Sequence, residues 1–88
     1  MFYLPENIVV NRMSDCNIIL DLDTSVYYTV ELTSKYIIDC IISGINTKES
    51  LTKKLCDMYN VDKIDALKDI TAFINQCMDL GIVRIKKL

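Results

Sequence analysis

The stretch ILDLDTSVYYTVELTSKYIIDCII, residues 19–42, decides the fold of this chain because two patterns of hydrophobic spacing meet in it. Up to residue 31, hydrophobic and polar residues alternate, which is typical of a β-strand with one buried face. The turn formers DLDTS at 21–25 interrupt the alternation and indicate a hairpin. From residue 33, hydrophobic residues recur every three to four positions, as in an amphipathic helix. The stretch therefore predicts a hairpin that runs directly into a helix.

The alternation also extends back to residue 8 and predicts a half-buried, three-stranded antiparallel sheet. A second group of turn formers, RMSDCN at 12–17, separates the first two strands. We expect strands at about 8–12, 17–22 and 26–31, with the second strand in the centre and the third at an edge. The hydrophobic residues of the buried face would occupy even positions: Ile8, Val10, Ile18, Leu20, Leu22, Val26, Tyr28 and Val30.

Residues that begin and end helices divide the rest of the chain into three predicted helices, at about 33–43, 47–59 and 62–80. The expected N-terminal caps are Thr33, Asn46 with Glu49 as a capping box, and Asp62. Gly44 and Gly81 are expected to end the first and third helices. The tail IVRIKKL, residues 82–88, is expected to form a short strand or to fray.

The order of these elements predicts an α+β, winged-helix-like fold, with a three-stranded antiparallel sheet followed by three α-helices. With 88 residues, the chain is expected to be a single domain, 1–88, near the lower limit for one hydrophobic core. The third helix has a wide apolar stripe, which core packing explains in part and which also indicates a groove. Its members are Ala66, Leu67, Ile70, Phe73, Ile74, Cys77 and Met78.

The composition disfavours catalysis and metal binding. The chain has no histidine, the commonest general base near neutral pH, and no glycine-rich phosphate loop. No two of its four cysteines are close in sequence, whereas zinc and iron–sulfur ligands usually are. We therefore expect no enzyme activity, no cofactor and no metal. The pair Asp21 and Asp23 is more typical of a solvated turn than of a calcium loop.

Charge and hydropathy also limit the partners. The net charge of −2, with acidic and basic residues intermixed, favours neither nucleic acid nor an anionic membrane. No apolar run is long enough for a membrane span, and the N-terminus does not resemble a signal peptide, so a soluble cytoplasmic protein is expected. A winged-helix DNA-binding regulator is the second hypothesis. Against it, the third predicted helix has no arginine and carries Asp65, Asp69 and Asp79 among its lysines.

The third predicted strand suggests a different partner. Its sequence VYYTV, residues 26–30, contains no lysine, proline or glycine, although exposed sheet edges usually carry such residues to prevent pairing with another chain. An extended peptide can join such an edge as an additional strand. The sequence therefore indicates a peptide-binding module, and it leaves open whether the free protein covers its edge by forming a homodimer.

Three segments together resemble the PqqD family, whose domains are also called RiPP recognition elements. They are ILDLDTSVYYTVELTSKYIIDCI at 19–41, NTKESLTKKLCDMYNVD at 46–62 and ALKDITAFINQCMDLGIV at 66–83. The family pattern is similar in its aspartate turn, its strand-to-helix passage, its Y-x-V-D break and its final D-V-x-x-F-L…G-L-I helix. The chain departs from the family at VELTS, where LNET is frequent. The resemblance covers roughly residues 8 to 83.

The resemblance implies a noncatalytic domain that binds the leader of a ribosomally made precursor peptide and presents it to a maturation enzyme. That enzyme would be a radical SAM enzyme, a lasso-type leader peptidase or a cyclodehydratase. The leader would lie along the third strand, in contact with the third helix. The implied contact residues are Val26, Tyr27, Tyr28, Thr29, Val30, Leu67, Asp69, Ile70, Phe73, Ile74 and Cys77. Asp69 would make a polar contact to the leader or remain solvated, and core packing is the first role of Ile70 and Phe73.

Overall fold

A computed structural model describes residues 1–87, so Leu88, the last residue of the predicted tail, lies outside the described residues. The elements are β1 (Phe2–Tyr3), β2 (Ile8–Arg12), β3 (Cys16–Asp21), β4 (Val26–Glu31), α1 (Leu32–Ile42), α2 (Lys48–Tyr59), α3 (Lys63–Asp79) and β5 (Arg84–Ile85). Strands β2, β3 and β4 form an antiparallel sheet in that order, and three helices follow it. The predicted α+β, winged-helix-like fold is therefore confirmed. Within residues 1–87, no helix is long and apolar enough to cross a membrane.

The two ends of the described chain form a separate two-stranded ribbon. Phe2 lies opposite Ile85, and Tyr3 lies opposite Arg84. The N-terminal ammonium group also donates a 2.8 Å hydrogen bond to the carbonyl oxygen of Lys86. Of the two outcomes expected for the tail, the structure shows the short strand.

The central strand β3 turns its side chains the opposite way from the prediction. Asn17, Ile19 and Asp21 are buried beneath the helices, whereas Ile18 and Leu20 lie half-buried on the other face. The prediction of an inward-facing set at even positions is therefore wrong for β3. It is also wrong for Leu22, which lies in the turn after the strand and is exposed.

The loop between β2 and β3 explains this reversal. The loop has only two residues, 14 and 15, and the amide of Met13 donates a 2.9 Å hydrogen bond to the carbonyl of Cys16. A two-residue loop pairs odd positions with even ones, so Val10 lies opposite Ile19. Residues directly opposite each other share a face of the sheet. The inward-facing positions are therefore even on β2, odd on β3 and, through the pair of Ile19 with Tyr28, even again on β4.

Within residues 1–87, no helix covers the outward face of the sheet, where the side chains are exposed or half-buried. We call it the open face, and it consists of Val9, Asn11, Cys16, Ile18, Leu20, Tyr27, Thr29 and Glu31. One cross-strand row on it is entirely hydrophobic or aromatic, because Val9 lies opposite Leu20, and Leu20 lies opposite Tyr27. The side chain of Tyr27 is especially prominent, with 67% of the residue exposed.

The core lies between the inward face of the sheet and the three helices. From α1 it receives Ile37, Ile38, Cys40 and Ile41, from α2 Leu51 and Leu55, and from α3 Ala66, Ile70, Ile74 and Cys77. Met58 and Tyr59, which belong to the hydrophobic spacing of α2, are exposed instead. Both lie in the last turn of α2, before Asn60 in the left-handed conformation at φ 52°, and the ring of Tyr59 packs edge-on against Tyr36 at the margin of the core.

The helix caps differ in detail from the predicted ones. Glu31, not Thr33, is the N-cap of α1, and its side chain makes no capping hydrogen bond. The capping box of α2 is formed by Thr47 and Ser50, not by Asn46 and Glu49. Each of these two side chains accepts a 3.1 Å hydrogen bond from the other residue's backbone amide. Asp62 does precede α3, but without a side-chain capping hydrogen bond.

A polar cluster joins the sheet to the helices, and Asp39 of α1 is its centre. The side-chain amide of Asn17 donates a 2.9 Å hydrogen bond to Oδ1 of Asp39, and Nε of Arg12 lies 2.9 Å from the same oxygen. The ammonium group of Lys35 lies 2.7 Å from Oδ2. Burial opposes ionisation of this carboxyl group, but the hydrogen bonds from Lys35 and Asn17 and the nearby positive charges outweigh it. Together they hold the pKa of Asp39 below its usual value.

The reversed orientation of β3 is testable at two adjacent residues. We expect Ile19→Ala to lower the free energy of unfolding by about 3 kcal/mol, because it leaves a cavity in the core. The matched control Leu20→Ala should cost only about 1 kcal/mol, because Leu20 lies half-buried on the open face. Urea unfolding followed by circular dichroism measures both. Equal costs, or a larger cost at Leu20, would contradict the orientation described above.

The Asp39 cluster predicts a pH-dependent stability. Because its folded-state pKa lies below the unfolded-state value, the carboxylate stabilises the fold above about pH 4, and this contribution is lost as the pH falls through the folded-state pKa. Asp39→Ala should lower the free energy of unfolding by about 2 kcal/mol at neutral pH, because it leaves the buried amide of Asn17 without its acceptor.

In urea titrations at several pH values, the difference between wild type and Asp39→Ala should shrink in acid. Asp57→Ala, at an exposed position of α2, is the control and should change the stability by less than about 0.5 kcal/mol. A difference at Asp39 that stays constant down to about pH 2 would contradict the assignment of the effect to ionisation.

Candidate functional site

The backbone of β4 presents unpaired hydrogen-bonding groups at the edge of the sheet. Successive residues of an antiparallel strand direct their backbone groups alternately to the two sides. In β3, Cys16 is bonded to Met13 on the β2 side, and Leu22, just beyond the strand, is bonded to Asn7 on the same side. The even residues of β3 therefore face β2, and its odd residues face β4.

The pairing of β3 with β4 determines which backbone groups of β4 face the sheet. Val26, Tyr28 and Val30 lie opposite the odd residues of β3, so their backbone groups face β3. Those of Tyr27 and Thr29 consequently face away from the sheet, where no further strand lies within residues 1–87. Two amide donors and two carbonyl acceptors are thus available to another extended chain, and VYYTV has no residue that would block it.

A cleft opens on the helix side of this edge, between the first turns of α1 and the middle of α3. Its volume is about 330 Å³, and its lining residues are Thr33, Ser34, Ile37, Asp69, Ala72, Phe73 and Gln76. Because α1 begins directly after β4, the cleft starts where the open edge ends. Three of the lining residues, Ile37, Ala72 and Phe73, are apolar, and the other four supply hydroxyl, carboxylate and amide groups. The cleft therefore offers both apolar contact and hydrogen-bonding groups to a ligand.

The structure brings some of the sequence-predicted contact residues together and separates others. Two of the predicted α3 residues, Asp69 and Phe73, line the cleft, and Tyr27 and Thr29 form the open edge of β4. Tyr28 and Val30 are half-buried against the core, and Val26, at the start of β4, is exposed.

The other predicted residues of α3 face elsewhere. Ile70, Ile74 and Cys77 are core residues, with relative exposures of 0%, 2% and 3%. Leu67 lies on the opposite flank of α3, in a larger depression of about 750 Å³ beside α2. We call this depression the α2–α3 groove. Its lining residues all belong to α2 and α3, whereas the cleft is partly lined by α1, which directly follows β4, so size alone does not make the groove the candidate site.

Five lining residues of the cleft are absent from the sequence prediction: Thr33, Ser34, Ile37, Ala72 and Gln76. The sequence could have indicated two of them, because Ala72 and Gln76 lie three and seven positions after Asp69, on the same stripe of the helix. No sequence pattern indicates the three α1 residues, since they line the cleft only because α1 and α3 lie close together in the fold.

The cysteines are not arranged as a site. All four are free thiols, and within residues 1–87 no cluster of side chains could hold a metal ion. Burial raises the pKa of Cys77 to about 11 and also raises the pKa of Cys40. Such thiols are weak nucleophiles, because the thiolate is the reactive form. Cys16 and Cys56 are half-buried.

Alkylation tests whether Cys77 is part of the core or of an open surface. At about pH 8, iodoacetamide should modify the native protein only at Cys16 and Cys56, whereas Cys40 and Cys77 should react only after denaturation. Peptide mass spectrometry with isotopically distinct reagents before and after denaturation distinguishes the two classes. Rapid native modification of Cys77 would place it on an accessible surface and contradict the packing of α3.

Known proteins resemble this chain in sequence pattern and in fold. The sequence pattern of the family described as Coenzyme PQQ synthesis protein D (PqqD) matches residues 16–83, well over half of the chain. Among curated proteins, none matches the sequence.

Two solved structures share the fold. "TbiB1 in Complex with the TbiA(beta) Leader Peptide" is 18% identical, with a TM-score of 0.88 over 97% of this chain and 98% of that one. "Lasso peptide synthetase B1 complexed with the leader peptide" is 23% identical, with a TM-score of 0.84 over 96% and 98% of the two chains. Together with the sequence match, which confirms the predicted resemblance, these findings show that the chain belongs to the PqqD family.

Proposed function

We propose that this protein binds the leader segment of a ribosomally made precursor peptide as an additional antiparallel strand on β4. The observation that carries the proposal is the pair of unprotected residues, Tyr27 and Thr29, whose backbone groups face outward beside the cleft. The two solved structures of the same fold support it, because both are described as complexes with a leader peptide.

Backbone hydrogen bonds would bind any extended peptide, and side-chain contacts would select among peptides. Four backbone hydrogen bonds at Tyr27 and Thr29 would each contribute about 1 kcal/mol for any extended peptide. Because strand side chains alternate, every second peptide side chain would point toward the helices and the cleft floor at Ile37 and Phe73. Burial of apolar side chains there would distinguish one peptide from another.

The remaining peptide side chains would extend the open face beyond Tyr27. A maturation enzyme could then contact the protein and its bound peptide on one continuous surface, since uncovered apolar faces often bind proteins. In this proposal the protein holds and presents the precursor and performs no chemistry itself. A radical SAM enzyme, a lasso-type leader peptidase and a cyclodehydratase all fit this role.

The DNA-binding alternative has less support. A recognition helix should present arginine, lysine, asparagine or glutamine to base edges. On α3, the exposed carboxylates of Asp65, Asp69 and Asp79 would instead repel phosphate. A homodimer formed through β4 would use the same edge as the peptide, so dimer and complex would exclude each other.

Replacing Thr29 with proline tests strand addition, because proline removes the backbone donor that faces the open edge. We expect Thr29→Pro to weaken binding of the precursor peptide encoded beside the gene by about tenfold or more. The far-ultraviolet circular dichroism should remain close to that of the wild type. Isothermal titration calorimetry measures the affinity.

Two matched variants complete the test. Thr29→Ala retains the amide donor and should bind nearly as well as the wild type. Tyr28→Pro removes a donor that faces β3 and should destabilise the fold itself. Wild-type affinity in a folded Thr29→Pro protein would rule out pairing at this edge. Pairing at this edge would also be ruled out if the peptide changed the chemical shifts only of amides outside both β4 and the cleft.

A further inference from the structure

Leu32, at the junction between β4 and α1, has two properties that the packing of the fold does not explain. Its backbone lies in the left-handed region, at φ 52°, which is unfavourable for a residue with a large side chain. It is also the most exposed large hydrophobic residue in 1–87, with 79% of the residue exposed. Asn60 has the same φ, but asparagine tolerates this conformation. A strained leucine that contributes little to the core calls for a functional explanation.

Leu32 lines a cavity at the end of β4. The cavity has a volume of about 330 Å³, and we call it the β4-end cavity. It is bounded by the loop between β2 and β3, by the first two turns of α1 and by the last residue of α2. None of its lining residues belongs to the cleft, which is lined by other residues of α1 and by α3. The protein therefore has two separate depressions near the start of α1.

The apolar part of the β4-end cavity is formed by Leu32 and two aromatic rings. The rings belong to Tyr36 and Tyr59, and their centroids lie 5.8 Å apart in an edge-to-face arrangement. Tyr36 is half-buried and Tyr59 is exposed. Aromatic rings that are partly open to solvent offer a large apolar contact area to an incoming side chain.

The charged groups of the cavity do not require a charged ligand. The ammonium group of Lys35 lies 2.7 Å from a carboxylate oxygen of Asp39, and Nε of Arg12 lies 2.9 Å from the other oxygen, so these charges are already paired. The remaining charged lining residue, Asp15, is exposed and stays hydrated. A new ion pair at such an exposed position would contribute little. The cavity therefore favours an uncharged, apolar side chain.

The position of the cavity indicates which ligand would supply that side chain. In antiparallel pairing, the peptide residues that precede the paired segment lie beyond the C-terminal end of β4. β4 ends at Glu31, and Leu32 follows directly. The preceding residues of the peptide are therefore the ones that strand addition brings to Leu32. Four backbone hydrogen bonds alone would give only roughly millimolar affinity, so contacts beyond the strand are needed for tighter binding.

We infer that the peptide bound at β4 extends past the end of the strand and places a large apolar side chain, from a residue that precedes its paired segment, in the β4-end cavity against Leu32. This inference rests on the proposed function, because strand addition delivers that part of the peptide. Leu32 is then a specificity-determining residue outside the cleft. Its strained backbone is the consequence of presenting an apolar side chain at this corner.

Selection from random peptides tests the inference without knowledge of the natural precursor. We would pan a phage-displayed library of random dodecapeptides against the immobilised protein and keep the peptides whose binding is lost in Thr29→Pro. These peptides should share a large apolar residue on the N-terminal side of a segment rich in β-formers. Isothermal titration calorimetry with the synthetic peptides then measures each affinity.

Two substitutions remove the Leu32 side chain and also relieve its backbone strain. Asparagine and glycine both tolerate a positive φ, so the urea midpoints of Leu32→Asn and Leu32→Gly should equal or exceed that of the wild type. Each variant should nevertheless weaken a selected peptide by roughly tenfold, because an apolar contact is lost. Leu22→Asn is the matched control. Leu22 is also exposed, but its amide is bonded to Asn7 on the β2 side, so the affinity should not change.

A change in the peptide identifies the partner of Leu32. Replacing the shared apolar residue of a selected peptide with alanine should weaken binding to the wild type by roughly tenfold. The same replacement should have little further effect on binding to Leu32→Asn, because the contact is already absent. The pair of changes forms a double-mutant cycle that a merely structural role of Leu32 would not produce.

The outcomes separate this inference from the proposed function. Peptides that require the Thr29 amide but bind Leu32→Asn and Leu32→Gly as tightly as the wild type would overturn the inference alone. Additive effects of the two changes in the cycle would overturn it as well. A library that yields no peptide dependent on the Thr29 amide would overturn strand addition at β4, and the inference with it.

Discussion

One carboxylate provides the polar attachment of the sheet to the helices, beside the hydrophobic core that they share. Asp39 of α1 accepts a hydrogen bond from Asn17 in β3 and pairs with Arg12 in β2, and both partners come from the inward side of the sheet. None of these contacts involves β4. The polar attachment therefore uses the central strand and the far edge strand, and it leaves the outer edge of β4 without a structural role. The edge of β4 can remain unprotected because this attachment does not use it.

The change in hydrophobic period at residues 19–42 is enough to predict the hairpin and the helix that follows it. The three strands of the sheet begin and end within one residue of their predicted limits. Alternation could not reveal which face of each strand is buried, because that depends on the pairing across a two-residue loop. Asn17 shows the physical reason. A polar side chain at an odd position is typical of a solvated face, yet this one is fully buried because Asp39 accepts its hydrogen bond.

The same limit applies to the candidate site. A helical stripe identifies hydrophobic residues on α3 but not the neighbour toward which each one points. Ile70 and Ile74 face the core, Leu67 faces α2, and only Phe73 and the polar Asp69 face the cleft. These directions follow from the positions of α1 and α2 on either side of α3, and those positions are tertiary properties. The strand half of the candidate site is predictable, because the sequence VYYTV contains no residue that would protect an exposed edge.

The alternation of inward- and outward-facing backbone groups along β4 also affects which substitutions this protein can accept in evolution. Val26, Tyr28 and Val30 hold the strand to β3 and to the core, whereas Tyr27 and Thr29 contribute outward backbone groups that any amino acid except proline supplies. In the proposed strand addition, substitutions at the second set would leave the capture of a peptide strand intact, and substitutions around the cleft would alter which peptide is captured. The ligand preference would then change in evolution through neutral intermediates, without an unfolded or nonbinding ancestor.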